Sequence, residues 1–164
     1  LRRARAEFAV QQALFAAGVS VPEPLELRTD ANGLELVSRY LADARALHEL
    51  ERGPPRAHAW CARAVRHIGE LVARAHAVGL DHPDLHEKNV LVTGEAQPYL
   101  IDFAGARVRG RFDARTARRD LVQLAAATRE RVPLRLRQRA LAAWWRATSA
   151  EQRPKGRQAL RTGR

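Results

Sequence analysis

His82-Pro83-Asp84-Leu85-His86-Glu87-Lys88-Asn89 is followed by Val90-Leu91-Val92, a turn at Thr93-Gly94-Glu95, the strand-like Pro98-Tyr99-Leu100-Ile101 and then Asp102-Phe103. This order decides the fold, because two short strands joined by a turn bring Asn89 and Asp102 to neighbouring ends of one hairpin. Asp84 stands five residues before Asn89, which lets the loop turn back while Asp84 still faces outward. Phosphoryl transfer needs these groups: a carboxylate that orients the attacking hydroxyl and takes its proton, and oxygen ligands that hold Mg²⁺ against the phosphates. Mg²⁺ favours such ligands and keeps waters for the rest of its octahedron. Asp84 is therefore read as the catalytic carboxylate, and Asn89 and Asp102 as the metal ligands.

Each residue taken singly has a plainer explanation. An Asp after Pro in a loop is commonly a turn or cap residue, and an Asp-Phe pair alone carries no information. The reading rests on the ordered combination with its strand-turn-strand context. His82 is expected to be a packed structural residue. Metal binding by His82 and His86 is not expected, since Pro83 argues against a helical loop and Cys61 is the only thiol.

Working outward, residues 56 to 78 read as a helix. Trp60, Ala64, Ile68, Leu71, Val72, Ala75 and Val78 form its apolar stripe, Gly79 is its stop, and it delivers the chain to the loop. Upstream, residues 2 to 17 read as a helix ended by Gly18, and Leu25 to Arg28 and Leu34 to Tyr40 as strands around Asp30-Ala31-Asn32-Gly33. Glu7 shares the stripe of Val10, Leu14 and Ala17, which places a carboxylate beside an apolar face. Such a charge either has a cationic partner or sits at the edge of an amphipathic helix. Downstream, Ala117, Leu121, Leu124, Ala125 and Thr128 form one core stripe, and Leu134, Gln138, Leu141 and Trp145 another. The Trp144-Trp145 pair reads as packing.

Composition bounds the class. The chain has 164 residues, 46% hydrophobic, enough for one core and too few for two comfortable domains. No apolar run approaches membrane-spanning length and the first residues lack a signal-peptide core. One cysteine forms no internal disulfide, so a cytoplasmic location is expected. The net charge is +11, and Arg107, Arg109, Arg111, Arg115, Arg118 and Arg119 cluster just after Asp102. Interleaved aromatics and helix-turn-helix or zinc-finger patterns are lacking, so nucleic acid is not an expected partner. A basic face beside a phosphotransfer cleft suits an anionic acceptor or an anionic membrane surface instead.

On these residues the sequence resembles the protein-kinase-like superfamily, and within it the bacterial lipopolysaccharide core kinases that phosphorylate Kdo or heptose. The resemblance spans nearly the whole chain: Glu7 before Gly18-Val19-Ser20-Val21-Pro22-Glu23-Pro24, His82 to Asn89, Ile101-Asp102-Phe103, and Arg118-Arg119-Asp120-Leu121 opening a late helix. His86, two residues after Asp84, is similar to the sugar and small-molecule kinases of the superfamily and joins Asp84 as a catalytic candidate. Two departures are Pro83, where the family usually has Gly or Arg, and Ala104, where protein kinases have Gly.

The resemblance implies an α+β, protein-kinase-like fold with a mostly helical large lobe. Residues 1–41 would be a partial small lobe and hinge, 42–151 the catalytic lobe and 152–164 a basic tail. It implies ATP and Mg²⁺ as cofactors, with Ser38, Arg39, Tyr40 and Leu41 as the hinge that meets adenine. Glu7 would join them in the nucleotide site by pairing with a strand lysine. Neither that strand nor the Gly-rich hairpin lies in these residues, and Leu1 is not an initiator Met, so upstream sequence is expected. The implied reaction is transfer of the γ-phosphoryl group to a hydroxyl of an anionic sugar or glycolipid, with peripheral contact at the inner membrane. A protein or small-molecule acceptor, or a non-catalytic pseudokinase that binds partners, are the alternatives. Asp120 either holds the backbone of the catalytic loop or satisfies a helix dipole.

Overall fold

A computed structural model describes residues 2–30, 33–50, 57–149 and 152. Among them the chain is a mixed assembly of four α-helices and three small antiparallel sheets. Helix α1 (Arg2–Ala16) leads into strands β1 (Pro24–Asp30) and β2 (Gly33–Ser38), which pair as a hairpin. Strand β3 (Arg45–Ala46) and a 3₁₀ turn (Leu47–Glu49) precede helix α2 (His58–Ala77). Strand β4 (Leu80–Asp81), a 3₁₀ turn (Glu87–Asn89), strands β5 (Val90–Val92) and β6 (Pro98–Leu100), and strand β7 (Arg107–Val108) follow. Helices α3 (Ala114–Ala127) and α4 (Leu134–Ala147) complete the described fold.

The central hairpin forms as its pattern requires. Val90 faces Leu100 and Val92 faces Pro98, and all four are buried. Strand β3 extends this sheet by pairing with β5, while β4 pairs with β7 and so clamps the segments on either side of the Asp84 loop and Asp102. Beneath them Leu71, Val72, Leu85, Val90, Leu100 and Phe103 form the core, joined by Leu14, Val19 and Val21 from the first part of the chain. Each such side chain contributes about 1.5–3 kcal/mol relative to exposure. Gly79 makes the turn out of α2 in the left-handed region at φ +81°, and a Cβ there would lie 2.4 Å from the Arg111 carbonyl oxygen. Only glycine satisfies both constraints.

The α2 stripe holds, with Ala64, Ile68, Leu71, Val72 and Ala75 buried. Its expected start at Arg56 lies outside the described residues. Three other expectations change. Strand β2 ends at Ser38, not Tyr40; the Arg39 N–H still donates to the Glu23 carbonyl at 2.8 Å, just past the last paired residues, and Tyr40 lies beyond it. Ala17 and Ala125 are exposed and do not join their stripes. In α4 the expected core stripe faces outward: Leu134, Leu141 and Trp145 are exposed, and the buried face is Ala143 and Trp144. The reason is a close helix crossing, since a Cβ on Gly69 of α2 would lie 2.1 Å from the Ala140 carbonyl oxygen. That approach places Ala140 and Ala143 against Gly69 at the crossing, and Trp144 packs beside it toward His76.

Candidate active site

The site begins with the chain reversal after α2. His82 and Leu85 are buried and anchor the loop, and Pro83 and Asp84 between them stand exposed. His82 is fully buried against Phe103. Its Nδ1 accepts the Asp84 N–H at 3.3 Å, which leaves Nε2–H to face the Ile101 carbonyl at 3.4 Å. Burial is the dominant influence on the imidazole and holds its pKa below 6.5, so it serves as a neutral brace, not a proton shuttle. This matches the structural role expected for it.

Asp84 and His86 meet directly. The His86 Nδ1 accepts the Lys88 N–H at 3.1 Å, so the opposite nitrogen carries the proton and lies 3.2 Å from Asp84 Oδ2. Gln123 of α3 approaches the other oxygen, its Nε2 at 3.5 Å from Oδ1, the outer edge of hydrogen-bond reach. The carboxylate is thereby aimed from two sides while its face stays open to solvent.

Asn89 and Asp102 lie at adjacent hairpin ends, joined through the Ile101 N–H to the Asn89 carbonyl at 3.1 Å. The Asn89 side-chain amide donates to the Asp84 carbonyl at 2.9 Å. That bond uses its nitrogen and presents its oxygen, the end a hard cation requires. Asp102 adopts φ +57°, an uncommon backbone for a residue with a side chain, and its Oδ1 accepts the Ala104 N–H at 3.3 Å. Among the described residues no cluster of three or more His, Cys, Asp or Glu could hold a metal alone. An amide oxygen and one carboxylate fit a magnesium ion that shares its remaining positions with phosphates and water.

Glu7 closes the arrangement from α1. Its carboxylate takes a hydrogen bond from the Phe103 backbone N–H and lies close enough to Asp102 to be repelled by it. Partial burial first, and that neighbouring carboxylate second, raise its pKa above 4.5 despite Arg3 and the Phe103 N–H. A cation set between Glu7 and Asp102 would offset this repulsion. One helical turn on, the buried Gln11 donates to the Pro22 carbonyl at 2.6 Å and to Ser38 Oγ at 2.8 Å, fastening α1 to the end of β2. Arg39 pairs with Glu23 at 2.6 Å, the Leu41 carbonyl accepts the Ala44 N–H at 3.2 Å, and Tyr40 is 86% exposed. These four residues thus form the link between the hairpin and the helical part.

Asp120 settles between its two readings. It lies inside α3, whose N-cap is Asp113, so it does not open the helix and serves no N-terminal dipole. Fully buried, it accepts the His82 N–H at 3.2 Å and so holds the loop backbone. Its Oδ2 also faces His76 Nε2 at 3.4 Å, and the Trp144 indole N–H donates to His76 Nδ1 at 3.0 Å. A continuous set of buried contacts therefore runs from α4 through α2 and α3 to the loop. Arg119 pairs with Asp120 and also with Asp81 at 2.7 Å, and Arg109 pairs with Asp81 at 2.8 Å. Burial would raise the Asp81 carboxyl, but the hydrogen bonds from Arg109 and Arg119 outweigh it and hold the pKa below 3.8. Two arginines of the basic cluster are thus internal partners.

Sequence reasoning missed His76, Gln123 and Trp144 as supports of the site. His76 follows Val72 by one turn on the apolar stripe of α2, and Gln123 follows Asp120 by three residues on α3. Both are polar residues at buried helical spacing, which was the available signal.

The structure thus brings together a carboxylate with a hydrogen-bonded imidazole, an amide oxygen and second carboxylate at one hairpin end, and a helix glutamate facing them, the kinds of group that phosphoryl transfer requires. The chain matches the family described as "Lipopolysaccharide kinase (Kdo/WaaP) family" over residues 1–150, and it belongs to that family. It is 32% identical over 105 residues to a 3-deoxy-D-manno-octulosonic acid kinase of Vibrio vulnificus, covering 62% of this chain and 43% of the relative. The corresponding kinase of Xanthomonas oryzae pv. oryzae is 34% identical over 105 residues, covering 62% and 40%. That of Stenotrophomonas maltophilia is 32% identical over 111 residues, covering 65% and 43%. The chain therefore spans less than half the length of these relatives.

Proposed function

We propose that the whole protein transfers the γ-phosphoryl group of ATP to a hydroxyl of a lipopolysaccharide core sugar, with Kdo favoured over heptose by the names of its relatives. The observation that carries this reading is the convergence of Glu7, Asp84, Asn89 and Asp102 on one junction of loop and hairpin. Asp84 would orient the acceptor hydroxyl and take its proton, with the His86 imidazole holding the carboxylate in line. Asn89 and Asp102 would hold Mg²⁺, which would neutralise the charge of the phosphates. Glu7 would face a cation that meets the nucleotide, and Ser38 to Leu41 would form the hinge against adenine. Residues 1–41 would then belong to a small lobe and 42–151 to the catalytic lobe.

No described helix is long and apolar enough to cross a membrane. The outward face of α4 supports peripheral contact with an anionic bilayer at the inner membrane: Leu134, Leu141 and Trp145 are exposed there, with Arg135, Arg139 and Arg146 on the next row.

The test is phosphate transfer from labelled ATP to Kdo-bearing lipopolysaccharide core by the full-length protein and its Asp84→Asn variant. Turnover lower by about 10² or more with nucleotide binding intact is expected for loss of a positioned base. Equal turnover would remove Asp84 from the mechanism, and transfer to heptose or to a protein alone would overturn the acceptor assignment.

A further inference from the structure

An open groove of about 420 Å³ lies beside the loop, lined by Glu87, Ala126, Ala127, Arg129, Glu130 and Arg131. Its position follows from α3. Gln123 reaches toward Asp84, and Ala126 and Ala127 continue the same helix one turn further, about 5 Å along its axis. The opposite wall is Glu87, directly after His86, whose imidazole contacts Asp84. The groove is therefore walled by the chain neighbours of the two residues, His86 and Gln123, that approach the Asp84 carboxylate.

Its lining is mainly polar. Two alanines leave room and supply only methyl groups, two arginines and two glutamates supply the recognition groups, and no aromatic or large apolar side chain lines it. Such a surface suits a polyhydroxylated ring, not a base or an acyl chain. The two arginines differ. Arg131 lies 3.7 Å from Glu87 and steadies that largely buried carboxylate. Arg129 is exposed and forms no ion pair among the described residues, so its guanidinium fork remains for a ligand carboxylate.

We propose that this groove is the binding site for an acidic acceptor sugar, with Arg129 receiving the sugar carboxylate and Glu87 accepting from ring hydroxyls. The assignment rests on the kinase reading above and adds to it the place and polarity of the acceptor. It also explains why the neighbouring arginines Arg109 and Arg119 are not needed for that task, since Asp81 engages both.

The experiment measures KM for a Kdo glycoside and for its methyl ester, with full-length wild type and Arg129→Gln. Each single change is expected to raise the acceptor KM about tenfold or more, the loss of one charge-assisted contact, with the ATP KM unchanged. The variant with the ester should show no further loss, because both changes remove the same contact. An acceptor KM unaffected by Arg129→Gln, or losses that add in full, would overturn the groove assignment while leaving the kinase intact. A wild-type protein that phosphorylates no Kdo acceptor would overturn the kinase reading, and the groove assignment with it.

Discussion

Gly69→Ala is the sharpest stability test of the α2–α4 crossing. The new Cβ would lie 2.1 Å from the Ala140 carbonyl oxygen, 2.9 Å from the Ala143 Cβ and 2.9 Å from the Trp144 nitrogen. Ordinary contact begins near 3.4 Å, so α4 must retreat by about 1 Å or more, and backbone atoms on both sides leave no flexible side chain to absorb it. Overpacking of this kind costs about 1–3 kcal/mol, occasionally more. Alanine's better helix propensity returns roughly 0.5–1 kcal/mol. Because the overlap is with backbone, the upper overpacking figure applies, and the net expectation is a destabilisation of about 2–2.5 kcal/mol, or a fall in Tm of roughly 4–10 °C for a domain of this size. Thermal and urea unfolding of wild type and variant measure it. A Tm equal to or above wild type would show that the helices do not cross at Gly69, and with that the burial of Ala143 and Trp144 would fall.

Three further outcomes follow from the same contacts. Trp144→Phe keeps the ring but removes the donor to His76 Nδ1, so stability should drop by about 1–3 kcal/mol and turnover should fall with the ATP KM little changed; unaltered turnover would disconnect α4 from the loop. His82→Gln tests the buried neutral imidazole: below pH 6.5 the unfolded histidine takes up a proton that the folded one resists, so wild-type stability declines with acid and its margin over the glutamine variant narrows. A margin constant from pH 8 to 5 in urea unfolding would refute this. Replacing Leu134 and Leu141 together by Ser should abolish co-sedimentation with anionic phospholipid vesicles while leaving the melting curve nearly unchanged, since both are exposed, and retained sedimentation would remove α4 as the contact.

The sequence made the hairpin and its ends legible because strand periodicity and a turn fix where Asn89 and Asp102 must stand. The α2 stripe was equally clear, being long and strongly periodic. By contrast, α4 offered two competing faces, and its larger side chains pointed to the wrong one. The choice was made by Gly69 on another helix, a tertiary effect that no local pattern contains. The fate of the basic cluster was hidden for a similar reason. Arg109 and Arg119 look like free cations in the sequence, and only the pairing of β4 with β7 brings Asp81 to Arg109. Asp120 remained ambiguous until the helix start was located at Asp113.

The contacts that join Trp144, His76, Asp120 and His82 impose an order on the birth of the protein. Translation runs from the N-terminus at roughly 5–20 residues per second. From His82 to Trp144 the ribosome adds 62 residues, so roughly 3 to 12 s separate the two at those rates. In the later part of that interval, once Asp102 is made, the nascent chain carries Asp84, Asn89 and Asp102 while the Trp144 indole that completes the brace of their loop has not yet been made. The support of the loop is thus completed late, when α4 emerges and locks the loop from behind.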